Sequence, residues 1–176
     1  PAVLTERATG LTPSPSTTSS IAALLTDRHS APEIKAISIV IPTAGFLDDS
    51  GTPFVTAAID AARRGGIARI EILLVVGEEF VGDAETLCEE DVRLVHRPPG
   101  SWNFSAAVNL GVLAARHDHI LVLNDDVEAI ADGWLAALAT PLRDPDVGAV
   151  GALLLFPDHT VQHAGMVIDD AVPLHC

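Results

Sequence analysis

Arg69-Ile70-Glu71-Ile72-Leu73-Leu74-Val75-Val76, ended by Gly77, decides the fold. A strand with one wet face alternates apolar and polar residues. This run is apolar at nearly every position, so it reads as a strand buried on both faces. The pattern recurs. Ile37-Ser38-Ile39-Val40-Ile41 is stopped by Pro42, residues 92–96 form a third run, and His119-Ile120-Leu121-Val122-Leu123 a fourth. Helical segments separate them: residues 54–64, ended by Gly65-Gly66; a short one over 83–90; one capped by Asn103 or Ser101 and running to about 116; and one capped by Asp132 and running to about 139. A fifth strand is expected over 147–156, a turn at Pro157-Asp158-His159, and a returning strand over 161–168. Apolar strands separated by helices imply an α/β fold, a mostly parallel sheet flanked by helices on both faces. In such sheets ligands sit at the carboxyl ends of the strands. The residues just after 41, 76, 96 and 123 are therefore the candidates for function.

The chain has 176 residues, enough for one domain with a core of its own. Hydrophobic residues make up 48% but aromatics only 4%, so Ala, Val, Leu and Ile must build that core. Lys and Arg total 10 against 24 Asp and Glu, a net charge of −14. That balance argues against nucleic acid as a partner, and an anionic ligand would need a cation or a few local donors to offset the field. Two cysteines, Cys88 and Cys176, make no disulfide framework. No apolar run reaches a membrane span and no signal peptide opens the chain, so the expected setting is cytoplasmic. Residues 1–35 include a Ser/Thr/Pro-rich stretch and are expected to be a flexible arm. Residues 36–176 are expected to be the folded domain, cut short at its C-terminal end.

Asn124-Asp125-Asp126-Val127 follows the fourth strand. Adjacent carboxylates at a buried strand end repel each other and resist desolvation. A divalent cation relieves both penalties, and hard oxygen ligands suit Mg²⁺ or Mn²⁺. A solvated loop explains the same residues equally well. Pro42-Thr43-Ala44-Gly45, after strand one, stops the ladder and leaves room for a planar ligand. Glu78, after strand two, offers a carboxylate to a base or ribose, or is a solvated loop acid. Trp102 is a packing anchor or a ligand wall, Asn103 a helix cap. Asn109 and Gly111, mid-helix, mark a face pressed close to a ligand or strand.

Taken together these residues resemble family-2 glycosyltransferases over about residues 37–168. Ile37 to Thr43 looks like the family's first strand, Phe104-Ser105-Ala106-Ala107-Val108-Asn109-Leu110-Gly111 like its Asn-x-Gly helix, and Leu121-Val122-Leu123-Asn124-Asp125-Asp126-Val127 like its Asp-x-Asp-type metal motif. Trp134-Leu135, Asp146-Val147-Gly148-Ala149-Val150-Gly151 and Val161-Gln162-His163-Ala164-Gly165 follow in the family's order. The resemblance implies a GT-A fold and an inverting, metal-dependent transfer of sugar from a nucleotide-sugar donor to a glycan or lipid-linked acceptor. It places Pro42, Thr43 and Ala44 beside the nucleotide, with Glu78, Asn103 and Asn109 as further candidates on that side. Asp125 approaches the ribose and Asp126, with Asp125, the Mg²⁺ or Mn²⁺. Gly77-Glu78 stands where the family usually has a base-contacting Asp. The catalytic residue remains unknown, because the family's general base is expected beyond Cys176. Peripheral association with the inner face of a membrane is expected only through such further regions.

The rivals lack their own signatures. No G-x-x-x-x-G-K-[ST] loop is present, and Lys35 is the only lysine. No G-x-G-x-x-G follows strand one. The alternative that survives is a nucleotide-sugar-binding fragment or an inactive relative.

Overall fold

A computed structural model describes residues 33–169 and 172–175. The expected N-terminal arm lies outside the described residues up to residue 32. Four parallel strands form the central sheet: β1 (Ala36–Pro42), β2 (Arg69–Val76), β3 (Val92–His96) and β4 (Ile120–Val122), in the order β3-β2-β1-β4. β1 pairs β2 from Ala36 opposite Arg69 to Pro42 opposite Val75, and pairs β4 from Ser38 opposite Ile120 to Val40 opposite Val122.

The connections explain both buried faces. Helix α1 (Phe54–Arg63) links β1 to β2, and α2 (Phe104–Ala114) links β3 back to β4 on the other side of β1. Right-handed crossovers running in opposite directions put their helices on opposite faces. Ile37, Ile39, Ile41, Ile72, Leu74 and Val76 accordingly pack against Val55, Ala58, Ile59 and Ala62 of α1 and Leu135 of α3 (Trp134–Ala139). Val40, Leu73 and Val75, at the alternate positions, pack against Ala107 and Leu110 of α2. A strand's period of two thus serves two cores, which is why β1 and β2 carry no polar side.

Glu71 is the apparent break in the β2 run. It is buried and fully used. Ser38 Oγ donates to it at 2.8 Å, Arg93 Nη2 at 2.8 Å and the Arg116 amide at 3.0 Å. Arg93 also donates to the Ala114 carbonyl at 2.7 Å, and Ser38 Oγ accepts from the His117 amide at 3.1 Å. The cluster fastens the end of α2 to the amino edge of the sheet and delivers the chain into β4. Burial pushes the Glu71 carboxyl up, but the bonds from Arg93, Ser38 and Arg116 outweigh it and hold it below its usual range. Asp91, bound by Arg63, is also lowered. Acids lowered by folding give stability that is complete above the normal carboxylate range and lost as pH falls through their folded values. Thermal melts from pH 7 down to pH 3 should therefore show a falling midpoint on the acid side. Glu71→Gln should make that fall shallower.

Several local expectations are corrected. Residues 83–90 form only a 3₁₀ turn, Ala84–Leu87, capped by Asp83 through the Glu85 amide. Asp132 does not cap α3: Gly133 does, in a left-handed conformation (φ 73°), and Asp132 instead pairs with Arg64 at 2.9 Å. The strand expected over 147–156 shrinks to β5 (Leu154–Leu155), which pairs antiparallel with β6 (Val161–His163) outside the central sheet. The returning strand over 161–168 breaks at Gly165 (φ 118°), with β7 (Met166–Asp169) and β8 (Val172–His175) forming a separate antiparallel pair. The fourth strand is shorter than expected and stands at the sheet edge, with Ile120 and Val122 exposed. Among the described residues, no helix is long and apolar enough to cross a membrane.

Candidate functional site

Chain order reverses between β1 and β4, the position where open α/β sheets form a ligand crevice at the strands' carboxyl ends. Thr43 leaves β1 there and Asp125 leaves β4. Thr43 Oγ1 donates to Asp125 Oδ2 at 2.6 Å across 82 residues of sequence. The same oxygen accepts from the Gly45 amide at 3.0 Å, and the Thr43 amide donates to the Val75 carbonyl at 3.1 Å. Thr43 is buried; its hydroxyl ties the β1 loop to the end of β4, and its amide ties that loop to β2. Gly45 has φ 69°, and a Cβ there would strike the Phe80 ring, so the β1 loop is pressed flat against the β2 loop. The Val81 amide completes that contact with the Ala44 carbonyl at 2.8 Å.

The two acids differ. Asp125 is half-buried and engaged by Thr43, whereas Asp126 is exposed and has no hydrogen bond or ion pair among the described residues. Because β4 is an edge strand, the pair is less desolvated than the run of apolar residues suggests. Among the described residues, no three His, Cys, Asp or Glu side chains form a preassembled metal cluster. A cation held here needs oxygens from the ligand as well as from the protein. That donor set, one or two carboxylates with phosphate oxygens, fits Mg²⁺ or Mn²⁺.

Thr43→Val should leave the Gly45 amide and Asp125 without their partner, a loss of about 1–3 kcal/mol. Urea denaturation should show it as a lowered midpoint, and Thr43→Ser should restore most of it.

Pro42, Thr43, Ala44 and Asp125 are brought together. Glu78 is exposed at the end of β2. Asn103 caps α2, its Oδ1 accepting from the Ala106 amide at 2.9 Å. Asn109 does not reach the sheet. Ala107 and Gly111 are buried on that face, and Asn109, halfway between them, is exposed on the opposite side. The close approach expected for that region belongs to Gly111 alone. Trp102 is no packing anchor, being 45% exposed.

Arg97 carried no role in the sequence, yet it organises this edge. Its side chain is only 8% exposed, and its Nη2 donates to Glu79 at 2.5 Å. Its Nη1 reaches the carbonyls of Gly100 and Ser101 at 3.2 Å each, and its guanidinium lies 5.5 Å from the centre of the Trp102 ring. A basic residue directly after a strand was the available signal.

The family model for glycosyl transferase family 2 matches residues 38–165, a span that covers the central sheet from Ser38 of β1 onward and both acids. The chain belongs to that family. Among curated proteins it is 39% identical over 101 residues to the O-antigen biosynthesis protein RfbC of Myxococcus xanthus, covering 56% of this chain and 8% of RfbC. It is 30% identical over 138 residues to the uncharacterized protein y4gI of Sinorhizobium fredii (strain NBRC 101917 / NGR234), covering 67% of this chain and 15% of y4gI. The chain thus spans a small part of the relatives it matches. Among solved structures, a nucleotidyl transferase from Methanothermobacter thermautotroptrophicus aligns with a TM-score of 0.48 and 25% identity, covering 58% of this chain and 56% of that one. The sheet and its two helical layers are the GT-A-type arrangement that the family-2 resemblance implies.

Proposed function

We propose that this glycosyltransferase domain binds a nucleotide-sugar with a divalent metal and serves an inverting sugar transfer to an acceptor hydroxyl. The observation that carries the reading is the Thr43–Asp125 bond, which joins the β1 loop to the acidic motif at the reversal point and leaves Asp126 unengaged. In this reading Pro42, Thr43 and Ala44 border the nucleotide, Asp125 faces the ribose, and Asp126 is the main protein ligand of Mg²⁺ or Mn²⁺. Glu78 and Asn103 border the base side; Asn109 keeps a donor role only through contact with something above α2. When bound, the metal offsets the diphosphate charge and favours its departure. The chain's own contribution is to orient: a buried threonine holds one acid still, and a rigid loop edge limits where the nucleotide lies.

The general base is assigned to no described residue. Asp158 is exposed and held below the usual carboxylate range by hydrogen bonds from the Thr160 hydroxyl and amide, which makes it a poor proton acceptor near neutrality. The likeness to an O-antigen biosynthesis protein supports a surface glycan or its lipid-linked precursor as acceptor, used on the cytoplasmic side. Calorimetric titration with a panel of nucleotide-sugars, with and without Mn²⁺, tests the reading. Saturable binding to at least one donor that strengthens with Mn²⁺ is the expected result. Absence of binding across the panel would overturn it.

A further inference from the structure

Resting on that donor-binding reading, we propose that the exposed face of Trp102 is the stacking wall for the donor's nucleobase, and that Arg97 is the positioning residue that holds the wall. Trp102 directly precedes Asn103, the cap of α2. Gly111 of that helix lies on Val40 and Val75, near the carboxyl ends of β1 and β2. Eight residues separate Asn103 from Gly111, about 12 Å of helix, so the capped end projects past the strand ends. Trp102 therefore stands beyond the edge, on the β2–β3 side of the Thr43–Asp125 bond. A diphosphate near Asp126 leaves its nucleoside to extend along that side.

The edge has few surfaces for a flat ring. Phe80 is packed against Gly45, and of the exposed rings Phe46, Trp102 and Phe104 near this edge, Trp102 is the one with a guanidinium against its face among the described residues. Trp102 is exposed, and its orientation is fixed from behind by a guanidinium. Arg97 does not compete for phosphate. Glu79 neutralises it, two backbone carbonyls hold its other end, and it is nearly buried. Its Nε is buried without a hydrogen-bond partner, so this placement is maintained against a polar cost. Gly77 makes the clasp possible, because a Cβ there would meet both Glu79 and Arg97. The result is an indole held at the mouth of the crevice, with the exposed Glu78 following Gly77 at the end of β2 as a carboxylate that could bond a base edge. Stacking of this kind is tolerant of base identity because every base has a π-face.

The test uses nucleoside diphosphates (UDP, GDP, ADP and CDP) and inorganic pyrophosphate, each with Mn²⁺. Trp102→Ala should weaken binding of the preferred nucleoside diphosphate roughly ten-fold or more, with pyrophosphate affinity unchanged. Trp102→Phe should recover most of the loss. In the unaltered protein the nucleotide should quench tryptophan emission and pyrophosphate should not. Trp134, the other tryptophan, is tied to the Ala61 carbonyl at 2.8 Å and supplies a constant background. Arg97→Lys should reduce the quench along with the affinity. Unchanged nucleotide affinity in Trp102→Ala, or nucleotide binding without quenching, overturns the wall and leaves the donor reading standing. Equal loss of nucleotide and pyrophosphate affinity reduces Trp102 to a structural part and also overturns it. If the unaltered protein binds no nucleoside diphosphate, the donor reading fails and takes the wall with it.

Discussion

Asp126→Asn should remove the Mn²⁺-dependent part of nucleotide binding and leave the fold intact. The chain carries a net charge of −14, and a diphosphate approaching β4 meets two carboxylates there. A cation held by Asp126 would turn that repulsion into attraction, an effect worth several kcal/mol, so its loss should weaken binding about a hundred-fold or more. Asn keeps the shape of Asp and gives up the charge, which isolates the electrostatic part. Stability should barely change, because the Asp126 side chain is exposed and has no partner among the described residues. Surface changes of this kind stay within about 0.5 kcal/mol. Asp125→Asn gives the contrast. Asp125 accepts from Thr43, so its replacement should disturb the loop as well as the ligand. Titration with nucleoside diphosphate at fixed Mn²⁺, with a thermal melt of each variant, reads both effects. A variant that keeps its metal-dependent affinity would remove Asp126 from the site.

The strands buried on both faces could be read from sequence because burial leaves a mark on every residue. β1 and β2 show it along their length, and the two helical layers follow. Glu71 looked like a blemish in that pattern, since its partners Ser38, Arg93 and Arg116 lie 33, 22 and 45 residues away. The stretch 147–156 misled for the opposite reason. Its residues have strand character, yet a strand also needs a partner edge, and only Leu154 and Leu155 find one. Asp132 has the chemistry of a cap, but Gly133 supplies the left-handed turn, and Arg64 takes the carboxylate. The same division runs through the candidate site. Adjacent acids after an apolar run are visible as letters. That Thr43 binds one of them and frees the other depends on β1 and β4 being neighbours, which no local pattern encodes. Arg97 is a further instance, because its partners come from loops after two different strands.

Gly111→Val should be the most damaging single change in the sheet's α2 face. Glycine inside a helix costs about 1 kcal/mol relative to alanine, so α2 has a reason to avoid it. What keeps it there is distance. A Cβ on Gly111 would overlap Val40 Cγ1 and stand 3.0 Å from Val75 Cγ2. Both valines are fully buried in the central strands, with β1 held on either side by β2 and β4. Neither can yield without moving the sheet. Overpacking of this sort typically costs about 1–3 kcal/mol, so Ala should already lose more through contact than it gains in propensity. Val adds two further methyls and β-branching, and should cost about 3 kcal/mol or more. For a domain of this size that corresponds to a fall in Tm on the order of 10 °C. The effect should extend to binding. Lifting α2 should tilt its capped end, which carries Trp102 and Asn103, while the Thr43–Asp125 bond joins the segments after β1 and β4 without a residue of α2. Nucleotide affinity should therefore fall in Gly111→Ala at temperatures where it remains folded, with pyrophosphate affinity less affected. A Gly111→Ala protein as stable as the original would show that α2 does not sit this close to β1 and β2.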